Sequence, residues 1–222
     1  MGADRQRVVV GLDEAGRGSV LGPLAIAGIA LHEAVVEELV ALGVDDSKVL
    51  SPARRERLAA EIRARTTTFV VHLSSPSDVD ASKDDGGLDV HEAKVMAGII
   101  RQLGVKQVFA DAPGPGGRLF HRRLTKFLAD PTYSLTAENG ADARYGVVAA
   151  ASILAKTSRD AAIRELAALH GAIGSGYPSD PETVEFLVGW ARRGEGPPPF
   201  ARRTWETIRR IYGPRQAELF PY

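Results

Sequence analysis

The 222-residue chain contains no cysteine. That absence excludes a disulfide framework, a Cys-ligated zinc site, an iron–sulfur cluster and a thiol nucleophile. Long hydrophobic runs are missing as well. The longest nearly unbroken apolar stretch, Val147 to Ala155, falls far short of the ~20 residues that a membrane span requires. The amino terminus, MGADRQRVVVGLDEAG, has no apolar core or small-residue cleavage site of the kind a secretory signal carries. A soluble, cytoplasmic protein with no membrane partner is the expectation. Excess charge of either sign is also lacking, because 28 Lys and Arg balance 28 Asp and Glu. Nucleic-acid binders are usually basic, with a pI above about 9, so composition alone argues against that class. There is no internal repeat and no low-complexity linker, and a chain of this length can bury roughly 70% of its unfolded surface. One domain over residues 1–222 is expected, monomeric, with 180–213 as a helical C-terminal extension and 214–222 as a tail.

Apolar periodicity assigns the elements. Arg7 to Asp13 (RVVVGLD) reads as a buried strand that ends in acid, and Pro23 to Leu31 as its antiparallel partner across a Gly-rich connection. His32 to Leu42 and Pro52 to Arg65 have helical spacing, the second with Ser51 as N-cap and proline at its first position. Thr66 to Ser74 is a third strand, and the acidic, turn-rich Pro76 to Asp89 reads as a surface loop. Val90 to Leu103 is a helix, Lys106 to Asp111 a strand, Pro113 to Gly117 a loop, Arg118 to Leu128 a helix and Thr132 to Ala137 a fifth strand. A long helix from Asp142 to Leu169 follows, then helices over Pro181 to Arg193 and Arg202 to Tyr212. Three strands able to form a meander, then strands alternating with helices, predict an α/β fold with a mixed five-stranded sheet flanked by helices.

Four acids stand where strands, connections or helices begin or end: Asp13, Glu14, Asp111 and Asp142. A mixed sheet brings neighbouring strand ends together, so these carboxylates are candidates for one pocket. They would repel one another unless cations neutralise them. Oxygen-only ligation suits Mg²⁺ or Mn²⁺ better than zinc. Two such ions ~3.5–4 Å apart stabilise the attacking and leaving oxygens of an in-line displacement at phosphorus. Asp142 also reads as an ordinary N-cap. Asp13 and Glu14 resist so simple an account, since adjacent acids closing a run of valines are costly without a ligand.

The string GLDEAGRGSVLGPLAIAG at Gly11 to Gly28 resembles the signature of ribonuclease HII, whose members cut at ribonucleotides within duplex DNA. DDSKVLS (Asp45 to Ser51), FAD (Phe109 to Asp111), ADARYGVVAAASILAKTSRD (Ala141 to Asp160) and GSGYPSDP (Gly174 to Pro181) continue the resemblance in the family's order. GSGYPSDP and RRTW (Arg202 to Trp205) look like the archaeal branch. The resemblance implies an RNase H-like fold, with Asp13, Glu14, Asp111 and Asp142 as catalytic, metal-binding carboxylates for Mg²⁺ or Mn²⁺. It also implies hydrolysis on the 5′ side of a ribonucleotide in an RNA–DNA hybrid or a DNA duplex, leaving a 3′-hydroxyl and a 5′-phosphate, in ribonucleotide and primer removal. Gly16, Arg17 and Gly18 match the motif that reads the ribonucleotide junction, where glycines permit close approach and a group bonding the 2′-OH distinguishes RNA from DNA. Arg17 is placed for a phosphate. Tyr177 looks like the tyrosine that packs on the nucleotide sugar at the cut site. Ser152 and Lys156, one helical turn apart, and Ser47 and Lys48 of DDSK are further substrate-binding candidates. Each has a plain structural alternative: a hairpin turn, a solvated charge, a core aromatic, a small helix face, a turn before a helix.

Ribonuclease HIII, with a different GRG position and an added amino-terminal domain, fits less well, since strand one here begins by about residue 7. A non-catalytic duplex-binding module would gain nothing from four carboxylates facing phosphates. The tail QAELFPY resembles the short peptide by which DNA enzymes bind a sliding clamp, through Gln216, Leu219 and Phe220. Sorted by position, the neutral total conceals a basic stretch: Arg192 to Arg215 holds seven Arg and two Glu. That segment is the expected track for a phosphate backbone.

Overall fold

The structure, a computed structural model, describes residues 7–44, 50–66 and 68–213. Its sheet has five strands, β1 (Val8–Ala15), β2 (Leu24–His32), β3 (Thr68–Ser74), β4 (Gln107–Asp111) and β5 (Ser134–Glu138), in the spatial order β3-β2-β1-β4-β5. β1 and β2 pair antiparallel, as do β2 and β3, whereas β4 runs parallel to both β1 and β5. The meander followed by parallel crossovers is the mixed five-stranded sheet expected from the sequence.

Helices cover both faces. Among them are α1 (Glu33–Ala41), α2 (Pro52–Arg65) and the long α6 (Gly146–His170) on one face, with α4 (Leu88–Leu103) and α5 (Gly117–Leu128) on the other. Strand alternation sorts β1 between the two layers: Val9 and Ala15 join the α6 side, Val10 and Leu12 the α4 side. Gly11 faces α6, where an added Cβ would stand 2.1 Å from the Val147 carbonyl oxygen. Only glycine lets the α6 backbone lie so close to β1, and this seats the buried Val147–Ala155 face of α6 directly on the sheet.

A third cluster joins Val20, Leu21 and Ile163 to Ile173, Leu187, Phe200 and Ile208, docking α7 (Pro181–Ala191) and α8 (Glu206–Tyr212) on the body. Among the described residues, no helix is long and apolar enough to cross a membrane.

Three expectations need correction. Pro76 to Asp89 is not a continuous loop: it contains α3 (Pro76–Ala81), and α4 begins at Leu88. The cause is a capping box, in which the Ser75 hydroxyl accepts from the Asp78 amide at 3.2 Å and the Asp78 carboxylate accepts from the Ser75 amide at 2.9 Å. Asp142 does not start the long helix but lies in a separate 3-10 turn, Ala141–Ala143, while α6 opens after Tyr145. Arg202 precedes α8, which starts at Glu206, and Arg202 is fully buried.

Candidate active site

The C-terminal ends of β1 and β4 bring the acids together. Leu12 and Ala110 are the last registered pair, so Asp13 and Asp111 stand side by side one residue further on. Asp13, Glu14 and Asp111 each offer a carboxylate oxygen within 4.8 Å of the others. Asp142 stands outside this triad, buried, with its charge near enough to act on Asp13. Backbone amides orient two of the carboxylates: Glu14 N–H donates to Asp13 Oδ1 at 2.7 Å, and Ala141 N–H to Asp111 Oδ1 at 2.7 Å.

Burial pushes the Asp13 carboxyl up to about 7, aided by the charges of Asp111 and Asp142 and opposed by the Ser152 hydroxyl. Glu14 is raised well above the ordinary range by burial, then by Asp13, Glu92 and Asp111, with Arg17 opposing. Like charges crowded in low dielectric resist ionisation unless a cation joins them. Glu14 Oε2 is buried without a hydrogen-bond partner among the described residues. An orphaned acceptor beside two further carboxylates is the donor chemistry of a hard divalent cation, so the residues fit Mg²⁺ or Mn²⁺.

The loop after β1 carries Gly16, Arg17 and Gly18. Gly16 has φ +88°, and an added Cβ would lie 3.0 Å from the Pro23 carbonyl oxygen, so glycine is required there. The space above exposed Gly18 is open, which leaves the backbone approachable. Arg17 turns inward: its guanidinium binds Asp89 at 2.5 Å and also Glu92, both on α4. Burial lowers the Arg17 pKa, but Glu92 and Asp89 outweigh it and raise it overall. The side chain expected to meet a phosphate is engaged by two carboxylates. Buried Arg202 braces the same loop, donating to the Arg17 carbonyl at 2.9 Å and the Gly22 carbonyl at 3.3 Å. Desolvation lowers Arg202 to about 10.

On α6, Ser152 is buried, near enough to Asp13 to act on its carboxyl, and partly buried Lys156 follows one turn later. Tyr177 sits in the loop before α7, its ring 4.6 Å from the Arg159 guanidinium, and Arg159 also borders Gly16 and Gly176. Val20 N–H donates to the Gly176 carbonyl at 2.8 Å, tying the two loops together. Ser47 and Lys48 lie outside the described residues. Asp89, Glu92, Arg159 and Arg202 were not singled out from the sequence. Each is an ordinary helix or loop charge in one dimension, and only the i, i+3 spacing of Asp89 and Glu92 signals a shared face.

The family model of ribonuclease HII matches residues 10–208. The chain belongs to the ribonuclease HII family. It is therefore a ribonuclease H-type hydrolase. It is 40% identical over 205 residues to the ribonuclease HII of Pyrococcus abyssi, covering 91% of this chain and 90% of that one. The ribonuclease H2 structure from Pyrococcus horikoshii superposes with a TM-score of 0.84 at 36% identity, covering 92% of this chain and 96% of the other. A ribonuclease HII from Archaeoglobus fulgidus, solved in complex with PCNA, gives 0.82 at 37% identity, covering 90% and 95%.

Proposed function

We propose that this ribonuclease HII family member is an endonuclease that hydrolyses the phosphodiester on the 5′ side of a ribonucleotide, in an RNA–DNA hybrid or a DNA duplex, and leaves a 3′-hydroxyl and a 5′-phosphate. The observation that carries the proposal is the carboxylate triad of Asp13, Glu14 and Asp111, whose buried Glu14 Oε2 has no hydrogen-bond partner among the described residues. Asp13, Glu14, Asp111 and Asp142 would hold the divalent ions. Bound there, Mg²⁺ or Mn²⁺ supplies Lewis acidity for the oxygens that attack and leave phosphorus.

The protein's own contribution is preorganisation. The Glu14 and Ala141 amides fix the Asp13 and Asp111 carboxylates. The open backbone at Gly18, in a loop whose turn Gly16 permits, suits recognition of the 2′-OH, the group that separates RNA from DNA. Arg17 supports that loop through α4. Tyr177, held against Arg159, is assigned to the sugar at the cut site and Lys156 to a phosphate; Ser47 and Lys48 are assigned to substrate from sequence alone. Gln216, Leu219 and Phe220 are read as a sliding-clamp peptide, a reading strengthened by the PCNA-bound Archaeoglobus relative. The test is incubation with a DNA duplex holding one ribonucleotide, with Mg²⁺ or Mn²⁺ and with EDTA. A single nick 5′ to the ribonucleotide, lost in EDTA, is expected, and its absence with metal would reject the proposal.

A further inference from the structure

Beside the carboxylates, beyond β5, lies a groove of about 920 Å³ lined by Arg118, His121, Arg122, Glu138, Asn139 and Arg144 among others. It opens at the active-site edge of the sheet: Glu138 is the registered partner of Asp111 on the neighbouring strand. The Asn139 side chain donates to the carbonyl of Ala112, the residue after Asp111, at 3.2 Å. α5 contains three Arg and one Lys and no acid. Helical alternation divides it by face. Phe120, Leu124 and Leu128 are buried on the sheet, Arg123 is paired with Asp89 at 3.0 Å, and Arg118 and Arg122, four residues apart, project into the groove mouth. Both are exposed, and among the described residues neither has a hydrogen bond or an ion pair. The lone acid lining the groove, Glu138, is held by Arg144 at 2.8 Å, so the groove presents unneutralised guanidinium groups.

We infer that this groove is a second nucleic-acid contact, taking the phosphodiester backbone of the duplex that flanks the scissile position through Arg118 and Arg122. Two guanidinium forks one helical turn apart can each take a phosphate in bidentate fashion. Proximity to the Asp111 end of β4 makes the same duplex the ligand. This inference rests on the proposed nuclease activity for the identity of the duplex, but its binding arm does not require cleavage.

The decisive variant is Arg118→Glu with Arg122→Glu, compared with Arg118→Lys with Arg122→Lys. Binding to ribose-free duplex DNA is followed by fluorescence anisotropy from 50 to 200 mM salt. Each phosphate contact contributes about 0.9 to the slope of log K against log salt, so the Glu pair should flatten the slope by about 1.8 and weaken binding at least tenfold near 100 mM. The Lys pair should retain most of the slope. On the ribonucleotide-containing duplex, the Glu pair should raise KM by a similar factor with kcat within about twofold of wild type. An unchanged salt slope and KM in the Glu pair would overturn the groove assignment. If the Glu pair flattens the slope by about 1.8 but wild type never cuts, the nuclease reading fails while the groove stands.

Discussion

Arg17 sits between three carboxylates and supplies the one cation that lowers both Glu14 and Glu92. Glu92 is fully buried, and burial, opposed by Arg17, pushes its carboxyl up to about 7. A buried, hydrogen-bonded pair contributes little relative to an apolar replacement, yet breaking it by removing one partner is costly. Glu92→Ala should therefore destabilise the protein by about 1–3 kcal/mol and loosen the Gly16–Gly18 loop, whereas Glu92→Gln, which can still accept from Arg17, should cost less. Urea unfolding of the two variants distinguishes them, and a Glu92→Ala midpoint equal to wild type would remove the strut. At this scale the metal-site candidates were legible because DEAG, FAD and ADA carry local acid patterns. Glu92 was not, since VHEAKV reads as an ordinary helix and only the tertiary fold turns its carboxylate toward Arg17.

Among the elements, α3 is the one that sequence pattern hid. Its acidic, turn-rich composition resembled a loop, although Ser75-Pro76 with Asp78 is the same start signal that located α2 at Ser51-Pro52. Composition outweighed the cap because the helix is only six residues long. The element has a definite task. Asp80 near its end accepts from the amides of Arg203 at 2.7 Å and Thr204 at 3.0 Å, and from the Thr204 hydroxyl at 2.6 Å. α3 thereby clasps the segment leading into α8. Asp80→Ala should cost about 1.5–3 kcal/mol, the range for hydrogen bonds to a charged group, and should expose the carboxy-terminal extension to limited proteolysis. Protection equal to wild type would mean that the hydrophobic cluster around Leu187 and Phe200 holds the extension alone. The strands and longer helices were legible, by contrast, because alternation and 3.6-residue spacing persist over enough residues to decide between them.

For the molecule as a whole, zero net charge is the sum of separated fields. Acids converge at the ends of β1 and β4, while bases gather on α5 and in the carboxy-terminal extension. Not every base there is available: Arg202 is an internal brace, whereas Arg192, Arg193, Arg203, Arg209 and Arg210 are exposed. The acidic centre also sets a pH dependence. Asp13, with an ordinary value of 3.8, is pushed up to about 7 by burial and its neighbours, and Glu14 and Glu92 move in the same direction. Between those values the folded state holds protons that the unfolded chain has released, so stability falls as pH rises. In EDTA the Tm should therefore be lower at pH 8 than at pH 5.5, with a shallower fall in Asp13→Asn. Mg²⁺ or Mn²⁺ should raise Tm more at pH 8, because the ion binds deprotonated carboxylates. A metal-free Tm that climbs across this window, equally in wild type and Asp13→Asn, would contradict the electrostatic description.

The central claim is that the carboxylate pocket cuts a duplex at a ribonucleotide, and the most direct measurement compares wild type with Asp13→Asn on an end-labelled DNA duplex containing one ribonucleotide. Wild type should give a single metal-dependent product ending 5′ to the ribonucleotide, while Asp13→Asn binds the duplex with comparable affinity and cuts at least a thousandfold more slowly, on the order expected when the electrostatic centre of a site is removed. Cutting by Asp13→Asn near the wild-type rate would contradict the account.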